Sequence, residues 1–196
     1  MKKGLIVIIV LVVLAVIWGV GIYNGLVSKQ EAVEKAVGNV QTAYQKRADL
    51  IPNIVATVKN YAEYEAGTLT AVVEARAKAT SVTLDANNLT EENLKAFQAA
   101  QDQMSSALSR LLVTVEQYPD LKANQNYLDL QSQLESCENT IANARREFNE
   151  TAREYNTAVR RFPGNIIAGM FGFEKKPYFE ASEAAQNAPD VKDLFQ

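Results

Sequence analysis

The sequence predicts an all-α protein, an antiparallel up-and-down helical bundle carried on an N-terminal single-pass transmembrane helix. Three observations predict it. Leu5 to Tyr23 reads LIVIIVLVVLAVIWGVGIY without a charge. Gly and Pro are scarce from Gln30 to Arg161, in a stretch rich in Ala, Leu, Glu, Gln, Lys and Arg. Apolar residues then recur at intervals of three and four along successive stretches, the spacing of one helix face. The 196 residues accordingly divide into an anchor over 1–25, one bundle domain of ordinary size over 26–162, an apolar tail segment over 163–179 and a polar, Ala- and Asp-containing C-terminus over 180–196, expected to be disordered.

The anchor comes first. About 19 uncharged residues at 1.5 Å rise each match the ~30 Å hydrocarbon core of a bilayer. Leu5, Ile9, Val13 and Ile17 would meet lipid, and Trp18 and Tyr23 sit near the far boundary, where amphipathic rings favour the interface. A cleaved signal peptide would share the charged start and the small residues Gly19 and Gly21. Its apolar region would be shorter, however, and no Ala-x-Ala site follows this one. Gly21 and Gly25 form a small-xxx-small pair, but only at the edge of the span. Lys2 and Lys3 precede the run, against Lys29 and Lys35 after it, a bias that favours a cytoplasmic N-terminus and an exported C-terminal domain on a bacterial inner membrane.

Past the anchor, Leu26, Val33, Val37, Val40, Tyr44, Ile51, Ile54, Val58 and Tyr61 form one stripe, with Gln30 and Arg47 as polar exceptions. Arg47 can bury its stem while its head reaches Asp49, Glu63 or water. Pro52 falls inside this stripe. Lacking an N–H and crowding the preceding turn, it marks either a kink or a reversal with proline in the first turn of a new helix. The unbroken phase suits a kink.

The pattern continues through Leu69, Val72 and Val73 and fades in the loop-like stretch Ala79 to Asn88. Thr90, followed by Glu91 and Glu92, is an N-cap with acidic residues at the positive helix end. Its helix carries Leu94, Phe97, Met104, Leu108, Leu111, Val115 and Tyr118, until Pro119 breaks it. The last long helix places Tyr127, Leu134, Ile141, Phe148, Tyr155 and Phe162 seven apart, a coiled-coil-like seam whose other faces are charged and solvated.

After the seam, Phe162 to Phe173 is unusually apolar yet too short to span. It either folds back on the bundle end or inserts shallowly at the membrane interface, with Phe162, Ile166, Ile167, Met170, Phe171 and Phe173 in lipid and Lys175 and Lys176 near head groups. A reversal at Pro52 would give four helices and return this tail to the anchor. A kink alone would give three and leave it far away.

Composition narrows function. A net charge of -3 without a basic patch argues against nucleic acid. Histidine is absent, removing the commonest general base and metal ligand, and the lone Cys137 reads as a small buried apolar residue. No Gly-rich phosphate loop or nucleophile motif occurs, so no enzyme, cofactor, metal or small-molecule substrate is expected. Asp49, Glu63 and Glu65 would be the only catalytic candidates.

Several motifs together resemble the LemA family. They are Tyr23-Asn24-Gly25-Leu26-Val27, Arg47-Ala48-Asp49-Leu50-Ile51-Pro52-Asn53-Ile54-Val55, Tyr61-Ala62-Glu63-Tyr64-Glu65, Ala75-Arg76-Ala77, Tyr118-Pro119-Asp120-Leu121-Lys122-Ala123-Asn124, Glu138-Asn139-Thr140-Ile141, Ala144-Arg145, Tyr155-Asn156, Arg161-Phe162-Pro163 and Gly172-Phe173. The resemblance runs from the anchor to about Phe179 and departs at Tyr64, where many relatives have His, which weakens any metal or proton role there. It implies a four-helix up-and-down bundle on an N-terminal anchor, and with it a reversal at Pro52. A magnetosome-biogenesis protein is similar to the family, which implies membrane shaping or scaffolding. The expected function is therefore a self-associating, membrane-anchored scaffold that organises or remodels lipid without catalysis. The alternative is an adaptor or signalling module that presents its bundle to another envelope protein, such as a membrane protease.

Overall fold

A computed structural model describes residues 2–61 and 66–180. Six helices and no strand occur among the described residues: α1 (Lys2–Lys59), α2 (Ala66–Ser81), α3 (Glu91–Val115), α4 (Pro119–Lys122), α5 (Gln125–Arg160) and α6 (Gly164–Phe171). The chain is thus all-α, as its patterning predicts, with an apolar helix at its N-terminus. The expectation of a disordered C-terminus falls on residues outside those described.

α1 is one unbroken helix of 58 residues, about 87 Å at 1.5 Å per residue. Its first part is apolar on every face and uncovered; from Leu26 onward a single stripe is buried. Leu26, Val33, Val37, Val40, Tyr44, Ile51, Ile54 and Val58 are all in the core, as the spacing requires. Tyr61 is not: it lies past the helix end, exposed, and its hydroxyl accepts a hydrogen bond from Asn124 Nδ2 at 2.8 Å.

The chain does not reverse at Pro52, which lies inside α1. A proline there leaves the carbonyl four residues earlier without its N–H partner. That carbonyl belongs to Ala48, and Arg76 Nε on α2 donates to it at 2.8 Å. The orphaned acceptor thus becomes a docking point for the next helix. The helix ends only at Lys59, and α2 returns antiparallel to α1: Arg76 meets Ala48, and Gln41 Nε2 donates to Leu84 O at 2.6 Å.

The tail therefore reaches the anchor without a turn at Pro52. α3 returns along α2 after a short connection: Gln101 Nε2 donates to Ala79 O at 3.1 Å, and Gly67, Ala71 and Ala75 share a groove with Gln103, Ala107 and Arg110. α5 runs antiparallel to α1, shown by Lys29–Glu154 at 3.1 Å and Arg47–Glu138 at 2.8 Å. The turns around these helices obey local rules. Thr90 Oγ1 caps α3 by accepting from Asn93 N at 3.1 Å, Pro119 opens the short α4, and Asn124 Oδ1 caps α5 by accepting from Tyr127 N at 3.2 Å.

Two buried clusters form between these helices. The one nearer the apolar stretch of α1 gathers Tyr44, Phe97, Phe148, Tyr155 and Phe179 with small and branched residues; the distal one is aliphatic apart from Tyr127. Between them lies Arg47, only 1% exposed. Its guanidinium donates to Ser105 Oγ (2.7 Å), Glu138 Oε1 (2.8 Å), Gln101 Oε1 (2.9 Å) and Gln101 O (3.2 Å), not to Asp49. Gln101, also buried, donates in turn to Ala79 O at 3.1 Å. One arginine thus ties α1, α3 and α5 directly and α2 through Gln101. It also lies 5.1 Å from the Tyr44 ring centre. Burial pushes the Tyr44 hydroxyl above its usual range, against the opposing pull of Arg145 and Arg47.

Candidate membrane-contact site

The site is built where α1 leaves its apolar stretch and the tail returns to meet it. α5 ends at Arg160, two residues short of Phe162, so Phe162 is 73% exposed rather than in the seam. A turn with a cis Phe162–Pro163 bond leads into α6. Gly164 is required there, since a Cβ on it would collide with the carbonyl oxygen of Ala158. At the other end of α6, Gly172 adopts φ 74°, a left-handed conformation natural to glycine, and Phe173 N donates to Ala168 O at 3.0 Å.

These two glycines fix which face of α6 meets the rest of the chain. Gly164 and Ala168 are buried. Ile167 is half-buried, its Cδ1 3.8 Å from where a Cβ on Gly19 would stand. Tyr23, half-buried on α1, packs edge-on against Phe171 (ring centres 4.8 Å apart) and Phe173 (5.6 Å). Ile167, Met170 and Phe171 face Val12, Ala15, Val16, Gly19, Val20 and Tyr23 across an open cleft of about 500 Å³ lined almost wholly by carbon. The structure thus brings Tyr23, Ile167, Met170, Phe171 and Phe173 together. Leu5, Ile9, Val13, Ile17 and Trp18 are on α1 and uncovered, and Phe162, Ile166 and Met170 are exposed on the tail.

Beyond α6, residues 173–180 turn back along α5. Here lies a feature sequence reasoning missed. Asn156 accepts from Lys176 N and donates to Lys176 O, both at 2.8 Å. Asn149, one heptad earlier, repeats this with Phe179, accepting from its N at 2.8 Å and donating to its O at 2.9 Å. Two amide side chains thus replace a neighbouring strand for an extended segment, satisfying backbone groups that would otherwise be stranded against the core. Between the clamps the side chains alternate. Phe179 enters the core against Phe148 (ring centres 5.2 Å apart) under Arg145, while Tyr178 faces outward. Lys176, expected near head groups, instead reaches Ala86 O at 3.4 Å. The signal for this strap was present in the sequence, an Asn pair seven apart on α5.

The tail therefore divides. Residues 173–180 fold back on the helices, whereas α6 keeps an apolar face uncovered beside α1. Among the described residues, α1 is the one helix long and apolar enough to cross a membrane. No group of three or more Cys, Asp or Glu there could hold a metal ion. Asp49 is exposed and accepts from Gln45 Nε2 at 2.7 Å; Glu63 and Glu65 lie outside the described residues. Cys137 is half-buried on α5, and burial raises its thiol pKa, with Glu138 adding to the effect.

The family model described as LemA family matches residues 36–192. The magnetosome protein MamQ of Magnetospirillum gryphiswaldense is 26% identical over 89% of this chain and 70% of its own length. MamQ 2 of Paramagnetospirillum magneticum is 27% identical over the same shares. A protein LemA of Metamycoplasma hominis is 26% identical over 89% of this chain and 76% of its own.

Proposed function

Since the chain belongs to the LemA family, we propose that it is a membrane-anchored scaffold that self-associates and shapes or organises the bilayer without catalysing a reaction. In this reading α1, α2, α3 and α5 form one up-and-down bundle standing on the span, with the N-terminus cytoplasmic and the bundle exported. The partners are lipid and further copies of the chain.

One observation carries the proposal: α6 lies beside the half of the span nearest the bundle, with Phe162, Ile166 and Met170 uncovered. Exposed side chains of this size lose free energy in water, at about 25 cal/mol per Å² of apolar surface, and recover it in hydrocarbon. α6 is eight residues long, roughly 12 Å, so it occupies one leaflet only. Added area in one leaflet favours curvature, and a rigid bundle above it spaces neighbouring copies.

The test is reconstitution of the full chain into liposomes, followed by electron microscopy. Wild type is expected to form a defined oligomer and to alter vesicle shape, and an Ile166→Asp/Met170→Asp variant to insert through α1 but leave vesicles round. Monomers with unchanged vesicles for wild type would sink the proposal. Native-membrane crosslinks only to a different protein would move the reading to an adaptor.

A further inference from the structure

We infer that the groove between the end of α5 and the tail strap binds the phosphate head group of an anionic phospholipid, held by Arg160 and Arg161 with Tyr178 opposite. The inference rests on the reading of α1 as a membrane span with α6 beside it in the leaflet.

The groove is open, about 400 Å³, and is lined by Arg153, Asn156, Thr157, Arg160, Arg161 and Tyr178. The groups free to meet a ligand are few and are hydrogen-bond donors. Both amide atoms of Asn156 are committed to Lys176, and the Thr157 hydroxyl donates to Arg153 O at 2.7 Å. Arg153 is loosely paired with Glu150 at 4.0 Å, and Glu154 is taken by Lys29. Arg160 and Arg161 have no carboxylate within that distance among the described residues. Two unpaired guanidinium forks, together with a phenol held outward by the Asn149 and Asn156 clamps, present donors suited to a phosphodiester.

The height of the groove selects the source of that phosphate. α5 runs antiparallel to α1 with Glu154 beside Lys29. Six or seven residues further along, roughly 10 Å, Arg160 and Arg161 stand level with Tyr23, the last ring of the apolar run. α6 begins immediately after them and lies against Gly19 and Tyr23. Lipid head groups occupy this level, and arginine reaches them while its stem stays in apolar surroundings. The chain as a whole is acidic, at -3, so its general field repels an anionic surface. Arg160 stands in the last turn of α5, where the helix end favours a cation, and Arg161 caps it; an anionic head group at this height would meet both.

Full-length protein in detergent, mixed with phosphatidylglycerol or phosphatidylcholine of matched acyl chains, is examined by native mass spectrometry for retained lipid. Wild type is expected to retain phosphatidylglycerol preferentially. Arg160→Gln/Arg161→Gln is expected to lower that preference about thirtyfold, at roughly one surface-basic contact per arginine. Lys46→Gln/Arg146→Gln, with the same change of charge elsewhere, should keep it. Absence of a preference in wild type, or its survival in the Arg160/Arg161 variant, overturns the inference. Displacement of the lipid by millimolar inorganic phosphate would overturn the lipid assignment in favour of a soluble anion. In parallel, Ile166→Trp in a Trp18→Phe chain reports the depth of α6 through quenching by brominated lipid. Quenching without head-group preference defeats this inference alone. No quenching defeats the membrane reading as well.

Discussion

The two buried clusters differ in how they are closed. The distal cluster is completed by the long helices and the short turn between two of them: Ile51, Ile54 and Val58 of α1 meet Leu69 and Val72 of α2, Met104, Leu108 and Leu111 of α3, Leu121 of α4 and Leu134 of α5. The cluster nearer the apolar stretch of α1 also takes in Ala168 from α6 and Phe179 from the strap. Beyond the long helices and the connections between them, the chain thus adds two elements, α6 and the strap, at one end only, the end from which the apolar stretch of α1 extends. Hydrophobic burial alone does not require this, since the distal half manages without it. The additional segment makes sense as a device that fixes α6 against the anchor. Its anchorage resides in Asn149, Asn156, Gly164 and Phe179, while its outward face is left apolar.

The boundary between the halves is the largest effect to test. Replacing Arg47 by alanine removes four hydrogen bonds and strands the buried Gln101 Oε1 beside a cavity the size of the lost side chain, while Gln101 Nε2 keeps Ala79 O and the Ser105 hydroxyl keeps Gln101 O. Each stranded buried polar group costs about 1–3 kcal/mol, so Arg47→Ala is expected to cost about 3 kcal/mol in total. Urea unfolding of the full chain in mild detergent, followed by circular dichroism, measures it. Because the arginine touches both clusters, one cooperative transition should move as a whole. A variant in which only one half melts early would show that the two cores are separate units rather than one core with a polar layer.

The strap gives a smaller and local effect. Asn149→Ala/Asn156→Ala removes all four amide-to-backbone bonds, worth about 1 kcal/mol each at most when the freed groups can reach water. Amide hydrogen exchange should rise at Lys176 and Phe179 and stay unchanged across Ile51 to Val58. Equal acceleration in both regions would mean that the strap holds the whole fold and not the α6 end alone.

Much of this architecture was legible in the sequence, for a physical reason. A helix buried on one side must repeat its apolar residues at helical spacing, so the stripes of α1, α3 and α5 are read directly, with Arg47 as a polar exception whose stem is expected buried; that its head is buried too, on Ser105, Gln101 and Glu138, is not legible. Helix ends were less legible. The seam ran on in pattern to Phe162, but the turn into α6 ends α5 at Arg160. Tyr61 kept the phase of α1 after the helix had stopped. Val73 is exposed because α2 buries Leu69, Val72 and Ala79 instead. The clamps were hidden because an asparagine on a charged face looks solvated until an extended segment arrives to use it. The tail returns to the apolar stretch of α1 although Pro52 lies inside that helix. In sequence Pro52 shows the hydrogen bond it removes, but nothing local shows that a side chain 24 positions later replaces that bond.

That replacement is the subtlest difference between the halves, and it can be isolated. The distal half contains no clamp, but it has one carbonyl released by proline and claimed by Arg76 Nε. Arg76→Ala should therefore cost about 1 kcal/mol, the net worth of one hydrogen bond to a charged donor partly open to water. Pro52→Ala should restore the N–H to the ladder and stabilise α1, by as much as about 3 kcal/mol on intrinsic propensity. In the Pro52→Ala background Ala48 O has its helical partner again, so Arg76→Ala should cost close to nothing there. The coupling between the two sites in a double-mutant cycle, read from urea unfolding, is then about 1 kcal/mol. An equal cost of Arg76→Ala in both backgrounds would assign Arg76 to packing along α2. It would also return Pro52 to being a tolerated irregularity in α1 and not the acceptor through which α2 is docked.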